Sequence, residues 1–292
     1  MASPELTKFL ANFKESMMNG DDPLEAVVAK MNAIHPHGYQ DSSTVEDLEL
    51  GGVQAAWVST PETDPSRTVF FVHGGAFVST GLSEYYSYAE SVANFCNAKV
   101  LIYAYTLAPE MQYPGQLDQT LAVWEASGMD PSRSVFMGDS CGGGMALAAM
   151  CRLRDAGKPL PACYAGLTPW FDARQEGDAA VNPRGVDPFV NAPWIRARFL
   201  NYAGDADLDD PGISPIRADL AGLPPLYLGV GSIDTVCDDS TRLATRAGRA
   251  GVQISLDLNA EMVHGLHGLA GMCPESTAAM SRVGEFVRSY IP

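Results

Sequence analysis

Positive charge is scarce in this 292-residue chain: 19 Lys and Arg stand against 35 Asp and Glu, for a net charge of −16. That balance repels the phosphates of nucleic acid and the surface of an anionic membrane, so neither is expected as a partner. No apolar run approaches the roughly 18 residues that a membrane span needs. Met1-Ala2-Ser3-Pro4-Glu5 lacks the basic-then-apolar pattern of a secretory leader, and a cytoplasmic protein without stable membrane association is expected. The six cysteines (Cys96, Cys141, Cys151, Cys163, Cys237 and Cys273) show neither C-x-x-C spacing nor a Cys/His cluster, so no metal site is expected. Cys96, Cys151 and Cys163 lie in apolar surroundings and read as small core residues. Repeats and low-complexity tracts are missing too. Histidine occurs only five times, so the search for an imidazole base is short.

What is present is a 46% hydrophobic composition, enough to bury a large core in one domain. Residues 44–58 alternate around Val45, Leu48 and Leu50, then Val53, Ala55 and Trp57, with Gly51-Gly52 between them: an antiparallel hairpin. Further strands are expected at 68–73, 99–104, 133–138, 162–167, 225–231 and 252–258, separated by helical segments. Strands spaced by helices imply a mainly parallel sheet of eight strands covered on both faces. Two stretches fall outside this rhythm. Residues 3–35 read as two amphipathic helices, with Leu6, Phe9, Leu10 and Phe13, then Leu24, Val27, Val28 and Met31, at helical spacing. The interval from Phe171 to Ser214 is long for one crossover and, with Trp170 just before it, carries Phe171, Phe189, Trp194, Phe199 and Tyr202.

The chemistry centres on Gly138-Asp139-Ser140-Cys141-Gly142. A strand, Ser134-Val135-Phe136-Met137, precedes it and a small-residue helix follows, so Ser140 is placed on a sharp strand-to-helix turn that exposes its hydroxyl. A serine nucleophile needs a base, an acid to orient that base, and N–H donors for the oxyanion. His35 and His37 flank Pro36 in a polar stretch and read as solvated. His73 opens His73-Gly74-Gly75-Ala76-Phe77, a loop of the kind whose glycine amides serve an oxyanion, with the imidazole as a loop anchor. We favour His264 over His267 as the base, since it comes first after the strand at 252–258. Asp234, at the end of the strand Leu226-Tyr227-Leu228-Gly229-Val230-Gly231, is the candidate acid. Asp238 and Asp239 read as N-terminal partners of the next helix. The chain order Ser140, Asp234, His264 is that of α/β-hydrolases.

His73-Gly74-Gly75, Gly138-Asp139-Ser140-Cys141-Gly142-Gly143, Tyr105-Thr106-Leu107-Ala108-Pro109-Glu110 and the Asp234 and His264 loops together resemble the hormone-sensitive-lipase-like esterases, bacterial family IV. The runs Asp210-Pro211-Gly212-Ile213-Ser214-Pro215 and Leu223-Pro224-Pro225 are similar to members that hydrolyse monoterpene ε-lactones. The motifs span residues 69–268. The resemblance implies an α/β-hydrolase fold with a helical cap: residues 1–40 as N-terminal cap helices, 41–170 and 215–292 as the core, and 171–214 as a cap insertion. It implies a catalytic triad of Ser140, Asp234 and His264, an oxyanion hole of Gly74, Gly75 and Cys141, and a substrate pocket that includes Phe77, Phe171, Phe189, Trp194 and Leu266. The expected reaction is hydrolysis of short to medium acyl esters without cofactor or metal. A lactone is the alternative substrate, and a homodimer is left open. A ligand receptor on the same scaffold would have lost the catalytic histidine, and this chain keeps His264.

Two positions depart from the family. Thr106 replaces an arginine and removes an ion pair expected there. Cys141 replaces the alanine that follows the nucleophile; at a helix N-terminus its thiol is expected to have a lowered pKa and to react with thiol reagents, with Cys237 the next such candidate.

Overall fold

The computed structural model describes residues 2–12, 15, 17–34, 40, 42–181 and 186–292. The expected hairpin consists of β1 (Thr44–Leu50) and β2 (Val53–Ser59), which pair antiparallel about Gly51-Gly52. Both glycines have positive φ, 58° and 79°, the conformation a two-residue hairpin turn demands. The remaining strands are β3 (Asp64–Val72), β4 (Ala98–Tyr103), β5 (Ser134–Asp139), β6 (Cys163–Leu167), β7 (Leu226–Gly231) and β8 (Ile254–Asn259). They form one eight-stranded sheet in the order β1-β2-β4-β3-β5-β6-β7-β8, antiparallel where β2 meets β1 and β4, and parallel from β4 to β8. The fold class and the strand positions match expectation.

The helices, in chain order, are α1 (Pro4–Leu10), α2 (Leu24–Ile34), α3 (Leu82–Cys96), α4 (Gly115–Ser127), α5 (Ser140–Asp155), α6 (Asp178–Val181), α7 (Ala192–Ala203), α8 (Cys237–Arg249) and α9 (Pro274–Tyr290). Strand periodicity sorts side chains between two layers. Along β3, Val69 and Phe71 pack with Val92 of α3 and Val283 and Val287 of α9, while Phe70 and Val72 pack with Leu117 of α4, Leu147 of α5 and Leu243 of α8. Both faces of the central strands are therefore apolar, as a covered parallel sheet requires. Among the described residues, no helix is long and apolar enough to cross a membrane.

The N-terminal helices lean on the same end of the sheet as the β5–α5 junction. Ser3 caps α1 by accepting from Leu6 N, and its own amide donates to Glu275 of α9 (2.6 Å). Leu6 is buried with Met262, Leu266 and Ala279. Val27 of α2 and Met18 share a cluster with Trp194, Ile195 and Phe199 of α7. Phe13, expected on the first helix, lies outside the described residues, as do His35 and His37.

Thr106 has a local substitute for the expected ion pair. Its N–H donates to Gln119 Oε1 (2.8 Å), and Gln119 Nε2 donates back to Thr106 Oγ1 (3.0 Å), which ties the loop after β4 to α4.

Candidate active site

Ser140 is the first residue of α5 and has φ +52°, a left-handed conformation that side chains rarely adopt. The residues around it explain how the backbone tolerates so tight a turn. A Cβ on Gly142 would lie 2.2 Å from Val72 O, and one on Gly144 2.1 Å from Trp170 O, so only glycine lets α5 come this close to its neighbours. The turn lifts Ser140 Oγ to 3.0 Å from His264 Nε2.

His264 lies in the loop after β8. Its Nδ1 is 3.1 Å from each carboxylate oxygen of Asp234, which follows β7. Serine, imidazole and carboxylate are thus joined in a line, with chain separations of 124 and 30 residues. Burial lowers the His264 pKa, but the carboxylates of Asp234, Asp187 and Asp139 outweigh it, and the net position is above the usual 6.5. His267, the alternative base, does not reach the serine. It is fully buried against Gly229, no hydrogen-bond partner reaches either ring nitrogen among the described residues, and burial depresses its pKa to about 3. His73 anchors its loop: Nδ1 lies 2.7 Å from Gly74 O and the ring stacks on Tyr105 at 4.1 Å.

The oxyanion donors need one correction. Gly74 N–H donates to Asp139 Oδ1 and to Tyr85 Oη, both at 2.9 Å, and so is not available to a substrate. Tyr85 Oη in turn donates to Asp139 Oδ2 (2.8 Å). Gly74 therefore braces the loop against the residue before the nucleophile. Burial raises the Asp139 pKa to about 6, against the pull of these donors. Gly75 lines the cavity, and its amide meets no acceptor among the described residues. Cys141 N lies in the first turn of α5, where amides have no partner within the helix.

The cysteine expectation is overturned. Cys141 is fully buried, its Sγ accepts from Phe77 N (3.2 Å), and burial, with the Asp139 charge next, pushes the thiol up to about 12. Desolvation outweighs the helix dipole here. All six cysteines are buried, and none forms a disulfide.

A cavity of about 340 Å³ opens over Ser140 and His264. Of the five pocket residues expected, Phe189 and Trp194 line it. Phe77, Phe171 and Leu266 do not: Phe77 stacks on Tyr202 at 4.1 Å, Phe171 belongs to the core beneath the sheet, and Leu266 packs against Leu6. Phe199 packs against Trp170 and Phe77, both at 5.5 Å, so it and Tyr202 fasten α7 to the body.

Asp187 carried no reading in the sequence, and the contacts of Trp170 and Asp239 could not be read from it. Asp187 is buried between the segment before α7 and the histidine loop. Its Oδ1 accepts from Phe189 N and Val190 N, and its Oδ2 accepts from His264 N (2.8 Å). Burial, then the charge of Asp234, raises its pKa. Trp170 directs its indole N–H at His264 Nε2 from 3.3 Å. Asp238 and Asp239 stand in the first turn of α8, as expected; Asp239 also accepts from Phe171 N and Asp172 N, and Asp238 from Ala179 N. Among the described residues no side chain caps α8. An Asp followed two residues on by an apolar pair, as in Asp187-Pro188-Phe189-Val190, is the one pattern that could have drawn attention to Asp187 as a turn former.

Residues 69–268 match the family model of the alpha/beta hydrolase fold. An acetyl-hydrolase of Streptomyces hygroscopicus is 30% identical over 99% of this chain and 98% of its own length. The crystal structure of EstE5 soaked with p-nitrophenyl butyrate superposes with a TM-score of 0.93 at 30% identity, covering 99% of both chains. An esterase of the bacterial hormone-sensitive lipase family superposes with a TM-score of 0.90 at 33% identity over the whole of both chains.

Proposed function

Since this chain belongs to the α/β-hydrolase fold family, in its hormone-sensitive-lipase-like branch of ester hydrolases, we propose that it cleaves short to medium acyl esters with Ser140, His264 and Asp234 as its triad. The 3.0 Å approach of Ser140 Oγ to His264 Nε2, at the floor of a cavity, carries this reading. Ser140 Oγ attacks the ester carbonyl as Nε2 takes its proton. The amides of Gly75 and Cys141 receive the oxyanion, and the loss of one such donor costs on the order of 100-fold in rate. The tetrahedral adduct collapses, Nε2 returns the proton to the departing alcohol, and an acyl-Ser140 ester remains. Water, activated by the same nitrogen, then releases the acid. Asp234 holds the tautomer with its proton on Nδ1 and stabilises the imidazolium.

The substrate size follows from what encloses the cavity. We read α1, α2 and residues 171–214 as a cap: Phe9 packs on Phe189 at 5.9 Å, Met17 N donates to Pro188 O (2.8 Å), and Val27 packs with Trp194. About 340 Å³ suits a small ester and leaves no room for a long-chain glyceride. Lactones present the same acyl bond to the same triad. Six cysteines without a disulfide suit a reducing compartment, and we assign the protein to the cytoplasm. Hydrolysis of p-nitrophenyl esters of increasing acyl length, beside a lactone panel, tests the reading. Turnover should peak at short to medium chains; efficient cleavage of emulsified long-chain lipid would overturn the closed cap.

A further inference from the structure

The cavity over Ser140 has two unlike walls. Met31, Ile34, Phe189, Leu269 and Met272 form an apolar one. Facing the same space from α3 are Glu84, Ser87, Tyr88 and Ser91, spaced i, i+3, i+4 and i+7, so one face of that helix presents a polar stripe to the cavity.

Three hydroxyls of this stripe are unclaimed by any described residue. Tyr88 Oη is shielded from solvent and has no hydrogen-bond partner among the described residues, and burial, with the Asp139 charge next, keeps it protonated, so it remains an O–H donor. No hydrogen bond joins Ser87 Oγ or Ser91 Oγ to any described residue. Some hydroxyls on other helices behave differently, although Ser240 Oγ on α8 also has no partner among the described residues. Thr120, Thr245 and Ser281 each donate to the carbonyl four residues back, at 2.9, 3.0 and 2.9 Å. The α3 serines forgo that bond and keep their hydrogen-bonding capacity for the cavity.

An alkyl chain laid along this wall would cover the two serine hydroxyls and leave the already shielded Tyr88 Oη unsatisfied, and buried polar groups left unpaired are unfavourable. A substrate hydroxyl would satisfy them, since each side can donate and accept. Glu84 and Asp139 line the same cavity, so an acidic substituent would be repelled.

We propose that the α3 wall is a subsite for a neutral hydroxyl-bearing group of the ester, held by Tyr88 Oη and the Ser87 and Ser91 hydroxyls. The enzyme is then selective for esters that carry a hydroxyl away from the scissile bond. This rests on the ester-hydrolase reading of the same cavity.

Matched substrate pairs test it: ethyl hexanoate against ethyl 6-hydroxyhexanoate for the acyl side, and butyl acetate against 4-hydroxybutyl acetate for the alcohol side, followed by titration of released acid. The hydroxylated member should be preferred in kcat/KM by on the order of tenfold in at least one pair. That ratio should fall towards one in Tyr88→Phe or in the double variant Ser87→Ala/Ser91→Ala, each variant being its own reference. The double variant trims only cavity-lining hydroxyls and so reports on the subsite even if Tyr88→Phe fails to fold. Turnover of both members without preference, or a preference that survives in both variants, overturns the subsite alone. Absence of turnover with all four esters overturns the hydrolase reading and the subsite with it.

Discussion

Ser140 and His264 reach the same point from supports of opposite kinds. Ser140 is set by its immediate chain neighbours: β5 enters, α5 leaves, and Gly142, Gly143 and Gly144 let the helix press against Val72 O, Pro169 and Trp170 O. His264 lies in a loop and is held by groups brought from afar. Asp234 grips its Nδ1, Asp187 accepts its N–H from 77 positions upstream, and Thr168 Oγ1 accepts from Gly265 N. The nucleophile's position is a local property of a strand-turn-helix. The base's position is a property of the assembled molecule, including the segment before α7. Substitutions should therefore divide into those that remove chemistry and those that loosen the base while leaving the nucleophile poised.

The largest effect belongs to the local side. Ser140→Ala should lower ester turnover by on the order of 10⁶, to the background that binding and oxyanion donors sustain. Steady-state hydrolysis of a p-nitrophenyl ester measures it. Retention of even a hundredth of the activity would mean that another group attacks and that the elbow is not the centre.

Asp234→Asn ranks next, with a loss of about 10⁴, because the amide favours the wrong imidazole tautomer and cannot balance the imidazolium. Asp238→Asn is its control, four residues away and bonded to Ala179 N, not to the histidine. Equal losses at the two positions, with equal thermal midpoints, would break the distinction between orienting the base and supporting α6.

Asp187→Asn sharpens the comparison, because it acts on the base without touching the nucleophile. The variant should lose about tenfold in kcat through a looser His264, a smaller effect than at Asp234 since Nδ1 keeps its partner. The pH profile separates this from general loosening. His264 must be neutral to act and its pKa lies above 6.5, so wild-type kcat/KM should fall as pH drops through a value above 6.5. Asp187 is among the carboxylates that raise that pKa, behind Asp234. Removing its charge should move the acid limb to lower pH, and a limb that stays in place would make Asp187 a purely structural tether.

The same division explains what could be read from the sequence. The eight strands show their apolar alternation or apolar runs directly, and Ser140 is marked by glycines whose purpose is close approach, so the sheet and the elbow are legible from neighbouring residues. Asp234 and His264 follow from chain order and strand ends. Asp187 is not legible, since nothing near it in sequence indicates a distant histidine amide. Gly74 misleads for a related reason: its motif suggests an oxyanion donor, and only the fold shows Asp139 and Tyr85 claiming its N–H. Asp239 is the helix-terminal carboxylate it looks like, but only the fold shows Phe171 N and Asp172 N converging on it. Cys141 misleads through burial, which sequence position beside the nucleophile does not announce.

The smallest expected effect lies at Cys141, within the locally built half. Its Sγ accepts from Phe77 N and its thiol is pushed up to about 12, so at neutral pH it is neither a thiolate nor open to solvent. Iodoacetamide should leave ester turnover nearly unchanged over hours at pH 7, since the thiolate is the reactive form. Cys141→Ala keeps the backbone amide proposed to face the oxyanion and should retain most activity. It deprives a buried N–H of its acceptor, a loss of about 1 kcal/mol that lowers the thermal midpoint by about 2–4 °C. Activity and melting, measured with and without reagent, check both halves. If the reagent inactivated wild type while Cys141→Ala resisted it, the elbow would have to open on that timescale, and the contrast between a fixed nucleophile and an adjustable base would fail.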